Sequence, residues 1–176
     1  MLLPPGQEVS KRGEEGKMAR MVVAYYSRSG NTEKMAQEVA AGAREAAGPT
    51  VEVRRIEEVS PDDLLAYDGI AIGSPVYYGT MAAEVKELID KSVKHHGKLA
   101  GKVGGAFASS GGPGGGNETT VLDIAKALLI HGMIVQGDHE GDHYGPIAVG
   151  APDERSRKEC RRFGKRMAHL VQRLTK

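Results

Sequence analysis

The chain has 176 residues, 24 lysines and arginines against 23 acidic residues, and one cysteine, Cys160. That length holds one domain with a substantial core, and the balanced charge gives no global basis for nucleic-acid binding. A single cysteine excludes, within one chain, a disulfide framework, a cysteine-based zinc site and an iron–sulfur cluster, and it fits a reducing, cytoplasmic setting. Residues 1–17 are polar, contain glycine and lack periodicity, which predicts a flexible tail ahead of a single domain over 18–176. The apolar part of Met1–Pro5 is too short for a signal peptide. No apolar run approaches the length of a membrane span.

Met21–Tyr26 is a short apolar run of the kind a buried parallel strand needs. It turns abruptly into Ser27, Arg28, Ser29, Gly30, Asn31 and Thr32, then into a helical pattern to about Ala47, stopped by Gly48-Pro49. A strand, a hydroxyl-rich turn and a helix N-terminus make a place to hold a phosphate. The free N–H groups of the first helical turn and the helix dipole favour an anion, and Ser27, Ser29 and Thr32 add O–H donors. The alternative is a bare helix cap and tight turn with no ligand.

Val51–Ile56 alternates and reads as a half-covered strand nearer an edge. Ser60-Pro61-Asp62-Asp63 opens a short helix with Ser60 as its cap. Gly69–Gly73 is a continuous apolar strand, followed by a loop over Ser74–Thr80 and a helix burying Met81, Val85, Leu88 and Ile89. Lys102–Ala108 is a fourth strand, followed by the Gly-rich loop Ser109–Gly116 and a helix capped by Asn117. Met133–Val135 is a short fifth strand, Gly137–Gly150 is polar, and the last helix runs from about Asp153 to Leu174 with Cys160 on its apolar face as a core residue.

Strand and helix alternate five times, which requires a parallel sheet with helices on both faces and right-handed crossovers. On such sheets ligands bind at the carboxyl ends of the strands. The loops after the first, third and fourth strands converge there if the strand order is 2-1-3-4-5. Three nucleotide- or phosphate-handling alternatives fail on residues. The Gly-rich run ends Gly116-Asn117-Glu118 without the Walker lysine, the first turn lacks the dinucleotide-binding glycine spacing, and Ser27-Arg28 and Ser74 stand where a receiver domain needs acids.

The spacing Ser27-x-Ser29-Gly30-x-Thr32 after the first strand resembles the phosphate loop of flavodoxins, where it holds the terminal phosphate of FMN. The stretch Gly73–Met81, the run Ser109–Thr120 with the later His131-Gly132-Met133, and Tyr144-Gly145 resemble the WrbA-type NAD(P)H:quinone oxidoreductases. The resemblance implies an α/β, flavodoxin-like, doubly wound five-stranded parallel sheet of order 2-1-3-4-5. It also implies noncovalent FMN, NAD(P)H as electron donor, a quinone or other redox partner, and a homo-oligomer (dimer or tetramer). The first loop would cradle the phosphate. Pro75, Val76, Tyr77, Tyr78 and Gly79 would wall the flavin, and Ser109, Ser110, Gly111, Gly112, Gly114, Gly115 and Gly116 would offer N–H groups to its pyrimidine edge. His131 and Tyr144 would be the catalytic candidates, as proton donors to a reduced quinone; the alternative for His131 is a helix C-terminal cap. The Glu57–Asp68 stretch is shorter than the insertion that group carries, and the alternative function is a flavodoxin-type one-electron carrier without its own substrate. Asp138–His143 has metal-ligand residue types but no second cluster, so it reads as a solvated loop and no metal is expected. The nine basic residues of the last helix read as a solvated face, or as an attraction for acidic partners or for the extra phosphate of NADPH.

Overall fold

A computed structural model describes residues 18–176; the expected tail, residues 1–17, lies outside them. Seven strands and four α-helices follow in chain order. They are β1 (Arg20–Tyr25), α1 (Asn31–Glu45), β2 (Thr50–Arg55), β3 (Gly69–Tyr77), β4 (Thr80–Met81), α2 (Ala83–Lys91), β5 (Val103–Ser110), α3 (Asn117–Ile130), β6 (Ile134–Val135), β7 (Ile147–Val149) and α4 (Glu154–Leu174). The main path of the sheet is β2-β1-β3-β5-β6, all parallel. This is the expected 2-1-3-4-5 order with two short strands added. β4 folds back on the end of β3, and β7 pairs with β5 beyond β6.

The central strands are apolar throughout because both of their faces are covered. In β1, Val22 and Ala24 enter the core under α2 and α3, while Met21, Val23 and Tyr25 enter the core under α1 and α4. Each fully buried valine contributes on the order of 2 kcal/mol by removal from water. β2, at the edge, is only half-buried, as its alternation implies. The two helices on one face, α1 and α4, cross closely at two glycines. A Cβ on Gly42 would lie 1.9 Å from the Arg161 carbonyl oxygen, and one on Gly164 would lie 1.9 Å from that of Val39.

Several boundaries differ from the sequence reading. β3 continues to Tyr77 instead of ending at Gly73, because Ser74 and Pro75 still pair with Ala108 and Ser109 of β5. α1 ends at Glu45, with Ala47 left-handed at φ 50° before Gly48. Asn117 is the first residue of α3, not its cap. The cap is Gly116, left-handed at φ 103°. Asp63–Ala66 is a 3-10 turn rather than an α-helix, held by a reciprocal pair in which the Ser60 N–H donates to Asp63 Oδ2 (2.8 Å) and the Asp63 N–H donates to Ser60 Oγ (3.2 Å). The fifth-strand position is split. β6 borders the start of β5 and β7 borders its end, with residues 136–146 looping out between them.

That loop is not simply solvated. The Asp138 carboxylate is buried against α4, 2.7 Å from Arg162 and in contact with Arg166, and Asp142 is 2.7 Å from Arg155. These pairs, with Arg161 on Glu38 (2.6 Å), use much of the positive charge of α4 internally. Burial alone would raise the Asp138 carboxyl. The Glu140 N–H and the guanidinium groups of Arg162 and Arg166 outweigh it and hold the carboxyl down at about 2. A folded-state value below the unfolded one means that Asp138 stabilises the fold above the usual carboxylate range, and that this stabilisation is lost as pH falls through about 2. The thermal midpoint should therefore decline from about pH 4 towards pH 2, and Asp138→Asn should lower it at neutral pH while flattening that acid limb in a calorimetric pH series. Among the described residues no group of three or more His, Cys, Asp or Glu could hold a metal ion. None of their helices is long and apolar enough to cross a membrane. Cys160 is buried in the α1/α4 core, where desolvation pushes its thiol up to about 12, so it is a packing residue.

Candidate functional site

Parallel register puts the ends of β1, β3 and β5 at one edge, and the three unusual loops leave from there. The first begins where the Tyr26 N–H donates to the Gly73 carbonyl (3.0 Å). Ser27 is buried, and its Oγ accepts from the Gly30 N–H (3.0 Å), which closes the turn. Gly30 is left-handed at φ 85° and caps α1 without any side-chain acceptor. This conformation favours glycine, and no side chain caps the first-turn N–H groups of α1. Arg28 and Ser29 are exposed, and Asn31 is half-buried.

Thr32 joins the first loop to the third. Its Oγ1 lies 2.9 Å from Ser109 Oγ, and both residues are buried. Ser110 Oγ donates to the Gly112 carbonyl (2.7 Å), which curls the Gly-rich loop back on its strand. The second loop is a two-residue hairpin turn, Tyr78-Gly79, between β3 and β4. Both turn residues have positive φ, 50° and 82°. That matches the twist of the strands, but in tyrosine it is a strained conformation. Tyr78 is held there fully exposed. The hairpin meets the start of α3 as well. Thr119 Oγ1 donates to the Gly79 carbonyl (3.1 Å), and Thr80 Oγ1 to Asp123 Oδ2 (2.7 Å). Tyr26 and Tyr77 meet edge to face at 6.4 Å, which links the first loop to the second. Pro75 and Val76 are half-buried at the root of the hairpin. Gly111, Gly114 and Gly115 are exposed, and Gly30, Gly79 and Gly114 face open space.

Residues outside the expected cofactor-binding set hold this arrangement. Ser74 Oγ is fully buried, accepts from the Ala82 N–H (2.9 Å) and donates to the Pro75 carbonyl (2.7 Å), which pins the hairpin to the start of α2. Asn117 Nδ2 donates to the Ala148 carbonyl (2.8 Å), tying α3 to β7. Arg55, at the end of β2, donates from Nη2 to the Ser27 carbonyl (3.2 Å). A Ser at a strand end and an Arg closing an edge strand carry no sequence signal of such contacts. The Glu84 carboxylate, then partial burial, pushes the Tyr26 phenol above its usual range and keeps it neutral.

The two catalytic candidates fall differently. His131 is not brought to the loops. It caps the far end of α3, about 20 Å from the Gly-rich loop for a helix of 14 residues. Its Nε2 lies 2.8 Å from Ser92 Oγ in a mostly apolar pocket. Burial, then the neighbouring His96, lowers its pKa, so it is neutral at physiological pH. The C-cap alternative describes its place in this chain. Tyr144 is half-exposed beside the β5 edge, just ahead of β7. The adjoining Gly145 packs against Ala106 and Val121.

A hydroxyl-lined helix N-terminus, an aromatic hairpin and a glycine-rich loop, interlocked at the carboxyl edge of a 2-1-3-4-5 sheet, define a flavodoxin-like fold. Residues 22–128 match the family model described as "Flavodoxin domain", and the chain belongs to that family. It is 40% identical over 162 residues to a flavodoxin of Aquifex aeolicus, covering 88% of each chain. It is 34% identical over 191 residues to an NAD(P)H dehydrogenase (quinone) of Archaeoglobus fulgidus, covering 89% of this chain and all of the relative. Among solved structures, a flavodoxin from the domain Archaea superposes with a TM-score of 0.73 at 28% identity, over 86% of this chain and 98% of the other. A flavodoxin, WrbA-like protein from Agrobacterium tumefaciens superposes with 0.74 at 26% identity, over 88% of this chain and 98% of the other.

Proposed function

We propose that the chain binds FMN noncovalently at the three loops and works as an NAD(P)H:quinone oxidoreductase. The observation that supports this most is the mutual bonding of the elements around the site: Thr32 on Ser109, and Thr119 on Gly79. The residues fit FMN. The uncapped start of α1 with Ser29 and Thr32 suits a phosphate, the hairpin with Tyr77 and Tyr78 suits an aromatic ring system, and the open Gly-rich loop allows close backbone approach. Bound FMN would accept a hydride from NAD(P)H and deliver electrons to the quinone. The protein's part is to hold the phosphate, cover the ring and exclude water. In this reading Tyr144 is the proton donor to the reduced quinone. His131 can join such a site only across a contact between copies in a homo-oligomer.

The second reading, a one-electron carrier without its own substrate, is favoured by the similarity to the Aquifex flavodoxin. The two separate under anaerobic conditions. FMN-loaded protein bleached near ~450 nm by NADH or NADPH and restored by benzoquinone is a reductase. Protein untouched by either nucleotide, but giving a persistent one-electron-reduced spectrum with dithionite, is a carrier.

The strained turn supplies a further expectation. Tyr78→Gly should leave the unliganded protein about as stable, since relief of roughly 1 kcal/mol of left-handed strain offsets the added unfolded-state freedom. It should weaken FMN binding about tenfold through lost stacking. Thermal melts and flavin fluorescence titration measure the two effects separately.

A further inference from the structure

Among the described residues the cradle has no buried cation of its own. Arg28 and Lys34 are exposed, so a phosphate there would rest on N–H and O–H donors. Arg55 stands directly behind it. Parallel register places Arg55 beside Tyr25, the last residues of β2 and β1, so the edge strand ends under the turn that follows β1. The guanidinium lies 5.7 Å from the centre of the Tyr25 ring. Its Nη2 donates both to the Ser27 carbonyl (3.2 Å) and to Glu57 (3.1 Å). Nε and Nη1 make neither bond. The facing acids are Glu57 and, through the Tyr25 hydroxyl, Glu33 (3.0 Å).

The bond to Ser27 acts on the next residue. A trans peptide is planar, with its C=O and N–H on opposite sides. Holding the Ser27 carbonyl out toward Arg55 therefore turns the Arg28 N–H away from Arg55 and into the cradle. The same guanidinium places a permanent positive charge one peptide unit behind the anion, where the partly buried setting screens it less than bulk water would.

We infer that Arg55 is a positioning residue for the FMN phosphate: it aims the Arg28 N–H at the phosphate through the Ser27 carbonyl, and its charge offsets the dianion. This rests on the FMN reading above. It predicts discrimination between FMN and riboflavin, which lacks the phosphate.

The test is fluorescence titration of apoprotein with FMN and with riboflavin, for wild type, Arg55→Ala and Arg55→Lys, at low and high salt. Arg55→Ala should weaken FMN about tenfold while changing riboflavin less than about twofold. Arg55→Lys should recover part of the loss, and high salt should narrow the gap between wild type and Arg55→Ala. Equal losses for both flavins would reduce Arg55 to a packing role, and unchanged FMN affinity would remove it from the site; either overturns the inference while leaving the FMN reading standing. A wild-type protein that binds neither flavin overturns the FMN reading and this inference with it.

Discussion

Replacing Gly164 by alanine should lower the thermal midpoint by roughly 6–12 °C, from a loss of about 3 kcal/mol in a domain of this size. Two effects oppose each other. Alanine is the better helix former, by about 0.5–1 kcal/mol. Its methyl group, however, would stand 1.9 Å from the Val39 carbonyl oxygen. That atom belongs to the backbone of α1, so no rotamer change can relieve the clash and the helices must part. Parting them loosens the α1/α4 core around Met35, Val39, Cys160 and Phe163. Gly42, which meets the Arg161 carbonyl at the same crossing, should behave alike. Because one shift of the helices relieves both clashes, the double variant should lose less than the two single losses combined. A single variant as stable as wild type in calorimetry would mean that the crossing is wider than described.

Ser29→Ala combined with Thr32→Val should weaken FMN binding by about 10²–10³-fold. Ser29 is exposed at the cradle, and its hydroxyl would donate to a charged phosphate, a bond of about 1.5–3 kcal/mol. The Thr32 hydroxyl is already engaged with Ser109 (2.9 Å) in a buried pair. Valine there keeps the shape but strands the Ser109 hydroxyl, at about 1–3 kcal/mol, and releases the first loop from the third. The single variants should separate by ligand. Ser29→Ala should spare riboflavin, whereas Thr32→Val should weaken both flavins, because it disturbs the ring site as well as the phosphate site. Unchanged FMN affinity in the double variant, measured by titration of apoprotein, would place the phosphate elsewhere.

The architecture was legible because its signals are local. Apolar runs such as Val22–Ala24 and Gly69–Gly73 mark strands covered on both faces, and the alternation of Val51–Ile56 marks the edge. The Ser27–Thr32 turn was legible for the same reason, since its hydroxyls, its glycine and the helix start lie within six residues. The hairpin was not. Ser74-Pro75 looks like the start of a loop, yet pairing with β5 carries the strand on to Tyr77, and only a partner strand can decide that. The split fifth strand was hidden likewise. Ile147–Val149 is too short to declare itself and exists because β5 offers an open edge there. The place of His131 within the chain was not legible from a motif read along the sequence: 14 positions after Asn117, the first residue of α3, it lies a full helix length from the Gly-rich loop.

The alternation of strands and helices, the parallel sheet and the hydroxyl-rich turn before α1 were readable from sequence, because periodicity, capping and turn chemistry act over a few residues. Which distant groups meet depends on how the elements pack. That packing set Thr32 against Ser109, Thr119 against Gly79, Arg55 behind Ser27 and Asp138 between two arginines of α4. It also decided that Gly42 and Gly164 must be glycines, since each faces the backbone of the other helix. Such pairings depend on strand register and helix crossing, which arise from packing the whole core at once and leave no trace in the spacing of either partner alone.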